Sequence, residues 1–354
     1  MKIAQIMPEF GLAGAEIMCE NLTYELQKAG HEVVVVSMYD YHSAITDRLE
    51  QAGVEIRYLG KKPGMDPSMI LKMWKVFRET GVEAVHTHRY CAQYAMPAAM
   101  LAGVRHRVHT LHSVAPKENK RMARKLSKFF YHFCHVIPVS LSGLVQESVI
   151  EEYKLPSSKI PVIYNGIDLS KCVPKDDYEV RENFKILHIG RFSEEKNHKG
   201  LLTAFRKFHD THPDSELWLI GDGKLKPEME AYAREIGLGE SAKFLGLQSN
   251  VYSFMHEADV FALTSNYEGM PMTLIEAMGT GLPLVATRVG GIPDMLDDSN
   301  ALLVPVDMDA VSEAFAKYYS SKELRQTNGA AAKARAVQFS AQVMAEHYIN
   351  LYSK

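Results

Sequence analysis

Apolar runs of strand length alternate with amphipathic segments of helical period along almost the entire chain. This alternation is typical of parallel sheets that are covered by helices. In the first half, the pattern predicts strands at residues 2–7, 32–38, 55–59, 84–88, 107–112 and 136–140. It predicts helices at residues 15–28, 44–51, 67–80, 92–102, 117–132 and 141–153.

The pattern is interrupted at residues 159–168 and by a polar stretch at 170–182, and then it begins again. Three helical stretches close the chain, the last at residues 341–352. Two successive doubly wound units predict two Rossmann-like domains that face each other across a cleft, with ligands at the carboxyl ends of the strands. We place these domains at residues 1–166 and 167–339. The strands predicted for the second domain are 185–190, 216–220, 243–244, 260–263, 284–286 and 301–304.

Composition and charge narrow the class of protein. The 354 residues are enough for two domains with a core each, and 46% hydrophobic with 23% charged residues is an ordinary soluble composition. A net charge of −3 gives no overall attraction to nucleic acid. The N-terminal apolar segment is too short for a signal peptide, and no apolar run approaches the ~20 residues that span a bilayer. Four widely spaced cysteines indicate reduced thiols. We therefore expect a cytoplasmic protein.

Two carboxylates, Glu268 and Glu276, flank a Gly-Pro loop that joins a predicted strand to a predicted helix. The exposed backbone N–H groups at such a helix start attract phosphate. Carboxylates on either side of that phosphate can accept hydrogen bonds from sugar hydroxyls. The alternative is that each carboxylate only complements the helix dipole. Together the features predict a nucleotide-sugar site.

Two cations, Arg191 and Lys196, follow the strand that ends at Gly190. Cations on a strand-end loop suit a diphosphate, because each gives charge-assisted hydrogen bonds; a solvated loop is the alternative. We find no sequence pattern for a metal site. Asp307 and Asp309 have Asp-x-Asp spacing, but they lie at a predicted helix start, where capping explains them better.

The string from Glu268 to Gly279 resembles the signature of the retaining glycosyltransferases of family 4: Glu, seven residues, Glu, with Gly and Pro just after the first. Residues 187–198 resemble the family's Gly-Arg…Glu-Lys-Asn/Gly segment. Residues 11–16 resemble its Gly-Gly-Ala-Glu loop, with Ala13-Gly14 in place of the doubled glycine, which leaves the loop's detailed shape open. The resemblance covers nearly the whole chain. Further matching segments are 164–168, 221–223, 244–246 and 290–294.

The resemblance implies an α/β protein of the GT-B fold, whose last helix, at about residues 340–354, packs back on the first domain. It implies retaining transfer of a sugar from a UDP- or GDP-linked donor to a hydroxyl acceptor. A glycan or lipid-linked intermediate of cell-surface polysaccharide synthesis is the expected acceptor, and neither metal nor cofactor is expected. A nucleotide-sugar epimerase or hydrolase, and a non-catalytic nucleotide-sugar-binding homologue, are the alternatives.

The resemblance also assigns roles to residues. Arg191 and Lys196 hold the diphosphate and stabilise the charge that develops on it, Glu276 binds the ribose, and Glu268 holds the donor sugar. His112 lies near the reacting sugar. The implied catalytic set is Arg191, Lys196, Glu268 and His112. The implied donor-binding set is Gly14, Arg191, Lys196, Gly221, Leu245, Glu268, Gly269, Met270, Pro271, Met272, Thr273, Leu274 and Glu276.

Three residues are candidates for the acceptor side: His88, Arg89 and Asn165. His86 and His88 share one face of a predicted strand, since side chains two apart point the same way. For His88 a buried, hydrogen-bonded structural histidine is the alternative to an acceptor contact. Metal binding by the histidine pair is disfavoured, because no third ligand is evident.

A basic amphipathic helix is predicted from Lys117 to Phe133. Its first twelve residues hold six cations and one acid. Such a helix can lie on an anionic membrane surface; alternatively, the apolar stripe docks on its own sheet and the cations are solvated. Nucleic acid is disfavoured, because no aromatic side chains are interleaved with the cations. The apolar stripe consists of Met122, Leu126, Phe129, Phe130 and Phe133.

Overall fold

A computed structural model describes residues 1–11, 13–118 and 120–353. The chain divides into two compact units, one formed by Met1–Ile167 together with the segment from Ala341 onward, and the other by Asp168–Ser340. Each unit contains a six-stranded sheet in which every pair of neighbouring strands is parallel. The predicted α/β class, with two doubly wound parallel sheets, is therefore confirmed.

The first sheet has the strand order β3-β2-β1-β4-β5-β6, so the order reverses between β1 and β4. Its inner strands are largely buried on both faces, as the run Val33–Val36 illustrates, and β-branched residues suit such strands. The strands are β1 Lys2–Met7, β2 Glu32–Ser37, β3 Glu55–Tyr58, β4 Ala84–His88, β5 His106–Leu111 and β6 Val136–Ser140. The helices are α1 Gly14–Lys28, α2 Ala44–Gln51, α3 Ser68–Thr80, α4 Ala92–Ala102, α5 Ala115–Glu118, α6 Arg121–Phe133 and α7 Gly143–Tyr153.

The second sheet has the order β12-β11-β10-β7-β8-β9, which is the same topology, with its reversal between β7 and β10. The loops that follow β7 and β10 therefore lie side by side at the switch point, where doubly wound sheets bind ligands. The strands are β7 Phe184–Ile189, β8 Ser215–Ile220, β9 Ala242–Gly246, β10 Val260–Leu263, β11 Leu284–Thr287 and β12 Leu302–Val304. The helices are α8 His198–His209, α9 Lys226–Glu235, α10 Tyr252–Glu257, α11 Met272–Thr280, α12 Ile292–Met295, α13 Met308–Ser320 and α14 Lys322–Ala336.

The last helix, α15 Ala341–Tyr352, belongs to the first unit. Its Tyr348 and Tyr352 are fully buried in the same core as Met18 and Leu22 of α1. Burying one large apolar side chain stabilises a fold by roughly 1.5–3 kcal/mol, so α15 is an integral part of this core.

The predicted helix at 117–132 is wrong in one respect, because the structure divides this stretch into α5 and α6. Helix α5 ends at Glu118, and α6 begins at Arg121. Lys120 has extended backbone angles, φ −64° and ψ 155°, which interrupt the helical hydrogen bonds. Asn119 lies outside the described residues.

Candidate functional site

The loops after β7 and β10 are joined by an ion pair and by hydrogen bonds. Lys196 Nζ lies 2.6 Å from Glu268 Oε1, and Ser265 Oγ donates to the same oxygen at 2.6 Å. The Asn266 backbone N–H donates to the Glu195 carbonyl at 2.7 Å. Glu268 is buried, at 7% exposed. The structure therefore brings together two residues that are far apart in sequence and that the sequence assigned to one donor.

Arg191 differs from Lys196 in its surroundings. Its side chain is exposed, and within the described residues no ion pair or side-chain hydrogen bond is recorded for it. A guanidinium without a protein partner at a strand end is available for an anionic ligand. The two cations thus supply one free charge and one charge that is shared with a buried carboxylate.

Glycines allow close backbone approaches at this edge of the sheet. A Cβ at Gly221, where φ is +141°, would lie 2.0 Å from the Gly190 carbonyl oxygen. A Cβ at Gly290, where φ is +57°, would lie 1.8 Å from the Glu268 carbonyl oxygen. Only glycine fits both the left-handed backbone and the available space. The backbone positions of Gly190 and Glu268 therefore depend on these two contacts.

Helix α11 begins directly after the loop that carries Glu268. Pro271 is its N-cap and makes no side-chain capping bond, so the first N–H groups of the helix remain open to an anion. The residues predicted to hold the donor through this loop are placed consecutively, from Gly269 to Leu274.

Glu276 lies on the second turn of α11, and the Tyr252 hydroxyl donates to its Oε1 at 3.3 Å. Burial raises the pKa of Glu276 to about 7, although the Tyr252 hydrogen bond and nearby Lys171 act in the opposite direction. Sequence analysis did not identify Tyr252; only its position on α10, beside α11 in the fold, indicates this role.

Gly221 directly follows β8, and Leu245 is the second-last residue of the neighbouring strand β9. The Gly221 N–H donates to the Gly246 carbonyl at 2.9 Å, which ties the end of β8 to the end of β9. Leu245 is half-buried. All the predicted donor residues of the second unit therefore lie at the carboxyl edge of one sheet.

The first unit gathers a second group of predicted residues at its own switch point. Gly14 opens α1, and the buried Glu16 on the first turn accepts a 2.8 Å hydrogen bond from Arg89 Nη1. Arg89 has φ +52°, which is strained for a residue with a side chain. Arg89 is a residue that we predicted to contact the acceptor, and its Nη1 group is already engaged by Glu16.

His112 directly follows β5. Its Nε2 lies 3.0 Å from His88 Nδ1, and His88 Nε2 lies 2.9 Å from Gln5 Oε1. Burial, aided by His109 and Arg89, lowers the pKa of His112 to about 3, so the imidazole is neutral near pH 7. His88 is 0% exposed. Both of its ring nitrogens have partners, so the structure gives it the alternative role, that of a buried structural histidine.

Asn165 is buried near the end of the first unit, at 4% exposed. The next residue, Gly166, accepts a 3.1 Å hydrogen bond from Asn21 Nδ2 on α1, which fixes this segment against the first unit. Asn165 therefore stays a predicted acceptor-side residue without an exposed surface of any size.

Glu118 is a residue that sequence analysis missed. Burial raises its pKa to about 7, although the backbone N–H groups of His112 and Ser113 and the charge of Arg89 act in the opposite direction. Its Oε1 is buried and has no hydrogen-bond partner among the described residues. The only sequence signal is that Glu118 is the one acid within the basic stretch.

Helix α6 exposes most of its apolar stripe. Phe130 is buried with Tyr131 and Ser127, so the face that packs on the unit is shifted from the one that we predicted. The side chains of Phe133 and Met122 are 72% and 73% exposed. Leu126 and Phe129 are also exposed, as are Lys120, Arg121, Lys125 and Lys128.

In the described ranges, no group of three or more His, Cys, Asp or Glu side chains is arranged to hold a metal ion. The helices of those same ranges are all too short or too polar to cross a bilayer.

The sequence matches two family models. Residues 12–171 match the model "Glycosyltransferase Family 4", and residues 175–335 match the model "Glycosyl transferases group 1". The two matches together span most of the chain, with the boundary between them close to the boundary between the two units. The protein therefore belongs to the group 1 glycosyltransferases of family 4, as the sequence motifs indicated.

Named relatives agree with this membership. The chain is 30% identical to the UDP-Gal:alpha-D-GlcNAc-diphosphoundecaprenol alpha-1,3-galactosyltransferase of Escherichia coli, over 64% of this chain and 63% of the relative. It is 26% identical to the N-acetyl-alpha-D-glucosaminyl L-malate synthase of Bacillus anthracis, over 96% and 94%. The crystal structure of Anabaena HepE with UDP and glucose superposes with a TM-score of 0.86 at 20% identity, over 100% of both chains. This last likeness shows the shared GT-B fold.

Proposed function

We propose that this protein is a retaining glycosyltransferase that moves a sugar from a nucleoside diphosphate, UDP- or GDP-linked, to a hydroxyl acceptor. The observation that supports it most is the Lys196–Glu268 pair, which joins a phosphate-binding cation to a sugar-binding carboxylate beside the open start of α11. The names of the relatives favour sugar nucleotides as donors and lipid-linked glycans as acceptors.

Each residue of the site has a role in this proposal. Arg191 and Lys196 neutralise the diphosphate as it leaves, which is where negative charge develops. Glu276 accepts hydrogen bonds from the ribose hydroxyls, and Glu268 accepts one from the donor sugar. Gly14 and His112 are the candidate residues of the first unit.

Retention of configuration is proposed to occur by front-side transfer. The bond from the anomeric carbon to the diphosphate oxygen breaks as the acceptor oxygen bonds to the same face, and the acceptor proton moves to the departing phosphate. Glu268 Oε1 already accepts hydrogen bonds from Lys196 and Ser265, which weakens it as a nucleophile. The site therefore favours this route over a covalent glycosyl-enzyme.

We propose that the reaction needs no metal ion, because Arg191 and Lys196 supply the charge that a divalent cation would otherwise provide. A screen of UDP- and GDP-sugars by thermal shift selects the donor. We expect that donor to turn over at an unchanged rate in ~10 mM EDTA, a saturating excess over trace metal. NMR of the product should show that the anomeric configuration is retained.

The same assay separates the alternative functions. A hydrolase would release free sugar at the full rate without acceptor, and an epimerase would return an altered sugar nucleotide. A non-catalytic homologue would show a thermal shift with no product. Loss of more than tenfold in rate with EDTA, restored by Mg²⁺ or Mn²⁺, would contradict the metal-independent mechanism.

We further propose that α6 lies against the inner face of an anionic membrane, which places a cytoplasmic enzyme beside lipid-linked acceptors. Four exposed apolar side chains and three exposed cations share this one helix, and the exposed Lys120 directly precedes it. Apolar side chains enter the acyl boundary while cations contact anionic headgroups.

Replacing Lys125 and Lys128 together by Ala should weaken binding to vesicles of phosphatidylglycerol and phosphatidylcholine by about thirtyfold. The estimate follows from about 1 kcal/mol for each cation near the surface. Co-sedimentation measures the partition coefficient. Leu71→Ser, which alters an exposed apolar residue on α3, is the control and should not change binding. Equal recovery of the unmodified protein with anionic and with neutral vesicles would refute the membrane role.

A further inference from the structure

A line of three hydrogen-bonded side chains runs from the middle of the first sheet to its carboxyl edge. Gln5 lies on β1, His88 ends β4 and His112 follows β5. The two distances, 2.9 Å from Gln5 Oε1 to His88 Nε2 and 3.0 Å from His88 Nδ1 to His112 Nε2, are normal hydrogen bonds. Gln5 and His88 are both 0% exposed, so water does not compete for these bonds.

The chemistry of the line fixes where each proton lies. An amide oxygen only accepts, so His88 Nε2 must carry the hydrogen that is donated to Gln5. Burial lowers the pKa of His88 well below its usual range, and a neutral imidazole has one N–H, so Nδ1 of His88 is an acceptor. His112 must therefore donate from Nε2, and its own Nδ1 keeps a lone pair.

We infer that Gln5 and His88 are positioning residues that hold His112 in the Nε2–H tautomer, so that its Nδ1 accepts a hydrogen bond from a substrate hydroxyl. Among the described residues, the hydrogen bond through Nε2 is the one recorded for this side chain, and Nδ1 remains for a ligand. A lone pair accepts from a hydroxyl and repels an anionic oxygen. The inference rests on the proposed function only for the ligand, a sugar hydroxyl.

The packing around His88 restrains its ring. His86 lies beside it, with ring centroids 4.2 Å apart. His86 is itself held at both nitrogens, 2.7 Å from the Tyr352 hydroxyl and 2.7 Å from Thr110 Oγ1. Because its neighbour cannot rotate freely, a flip of the His88 ring that would exchange its nitrogens is opposed.

The test measures the tautomer directly, by two-bond ¹H–¹⁵N correlation spectra of the full chain labelled with ¹⁵N-histidine. His112→Gln identifies the signals of His112 by their loss. We expect the unmodified protein to show His112 as the Nε2–H tautomer at pH 7. Gln5→Leu removes the acceptor and should produce a mixture of the two tautomers.

The control variant is Tyr348→Phe, which removes a buried hydroxyl from the neighbouring Thr110 and leaves the Gln5–His88–His112 line intact. It should leave the His112 tautomer unchanged. In turnover of the donor selected above, Gln5→Leu should lower kcat in proportion to the lost Nε2–H population, by about twofold where the tautomers are equal.

Three results would overturn the inference. The first is an Nδ1–H tautomer of His112 in the unmodified protein, which would mean that Gln5 presents its amide nitrogen to His88, or a doubly protonated His112, which would leave no acceptor at Nδ1. The second is an unchanged tautomer in folded Gln5→Leu, and the third is the same mixture in Tyr348→Phe. Failure of the proposed function is distinguishable, because it would abolish turnover while leaving the spectra as predicted.

Discussion

Lys196→Ala should reduce donor turnover by about 10²–10³-fold, the loss typical of removing one preorganised group that stabilises developing negative charge. The effect has two causes. The departing diphosphate loses a cation, and the buried Glu268 loses the partner that lies 2.6 Å from its Oε1. The measurement is kcat and kcat/KM for the selected donor, with folding checked by circular dichroism.

Lys199→Ala is the matched control for this variant, because Lys199 is an exposed cation three residues further along the same segment. It should change turnover by less than about twofold, since exposed cations of this kind contribute little. A double-mutant cycle with Glu268→Gln isolates the coupling between the two residues. The role assigned to Lys196 would be wrong if Lys196→Ala reduced turnover by less than threefold, which corresponds to ~0.6 kcal/mol. It would also be wrong if Lys199→Ala reduced turnover as much as Lys196→Ala does.

Glu276→Gln should weaken donor binding and remove its pH dependence near neutrality. Two ribose hydroxyls need both oxygens of an ionised carboxylate as acceptors, and burial raises the pKa of Glu276 to about 7. Donor affinity of the unmodified enzyme should therefore fall about tenfold from pH 8 to pH 6, as the ionised fraction falls. Isothermal titration calorimetry at the two pH values measures it.

The same substitution should stabilise the ligand-free protein. A carboxyl whose pKa is raised on folding contributes stability below its unfolded pKa, near 4.5, and that stability is lost as pH rises through about 7. At pH 8, Glu276→Gln should raise the free energy of unfolding by as much as ~3 kcal/mol, with little difference near pH 4.5. Urea unfolding at both pH values provides the measurement.

Tyr252→Phe is the companion control for Glu276→Gln. It removes the hydroxyl 3.3 Å from the carboxylate but leaves the charge, so the pH dependence of donor binding should remain and move to higher pH. A donor affinity that is independent of pH between 6 and 8 (about one unit on either side of the raised pKa) in the unmodified enzyme would contradict the assignment of Glu276 to the ribose.

The fold class was predictable because parallel strands that are buried on both faces leave continuous apolar runs, such as Val33–Val36 and Val260–Leu263. The ends of β4 and β8 were also predictable, since Arg89 and Gly221 follow them directly. The donor residues could be assigned from their motifs, and the topology then places the loops after β7 and β10 side by side.

Tertiary contacts decided what the sequence left open. Helical spacing grouped Phe130 with Met122, Leu126, Phe129 and Phe133, but packing buries Phe130 with Tyr131 and exposes the others. The spacing of His86 and His88 predicted only a shared face. That His88 lies between Gln5 and His112 depends on the order of β1, β4 and β5 in the sheet, which a local pattern does not contain.

Helix α15 has a consequence for how the chain folds as it is synthesised. The core of the first unit lacks Tyr348 and Tyr352 until residues 168–340 have been translated, whereas the second unit is one continuous segment. Domains generally fold as units during synthesis. We therefore expect the later-made unit to complete its fold first, and His86 to meet the Tyr352 hydroxyl only after α15 has left the ribosome.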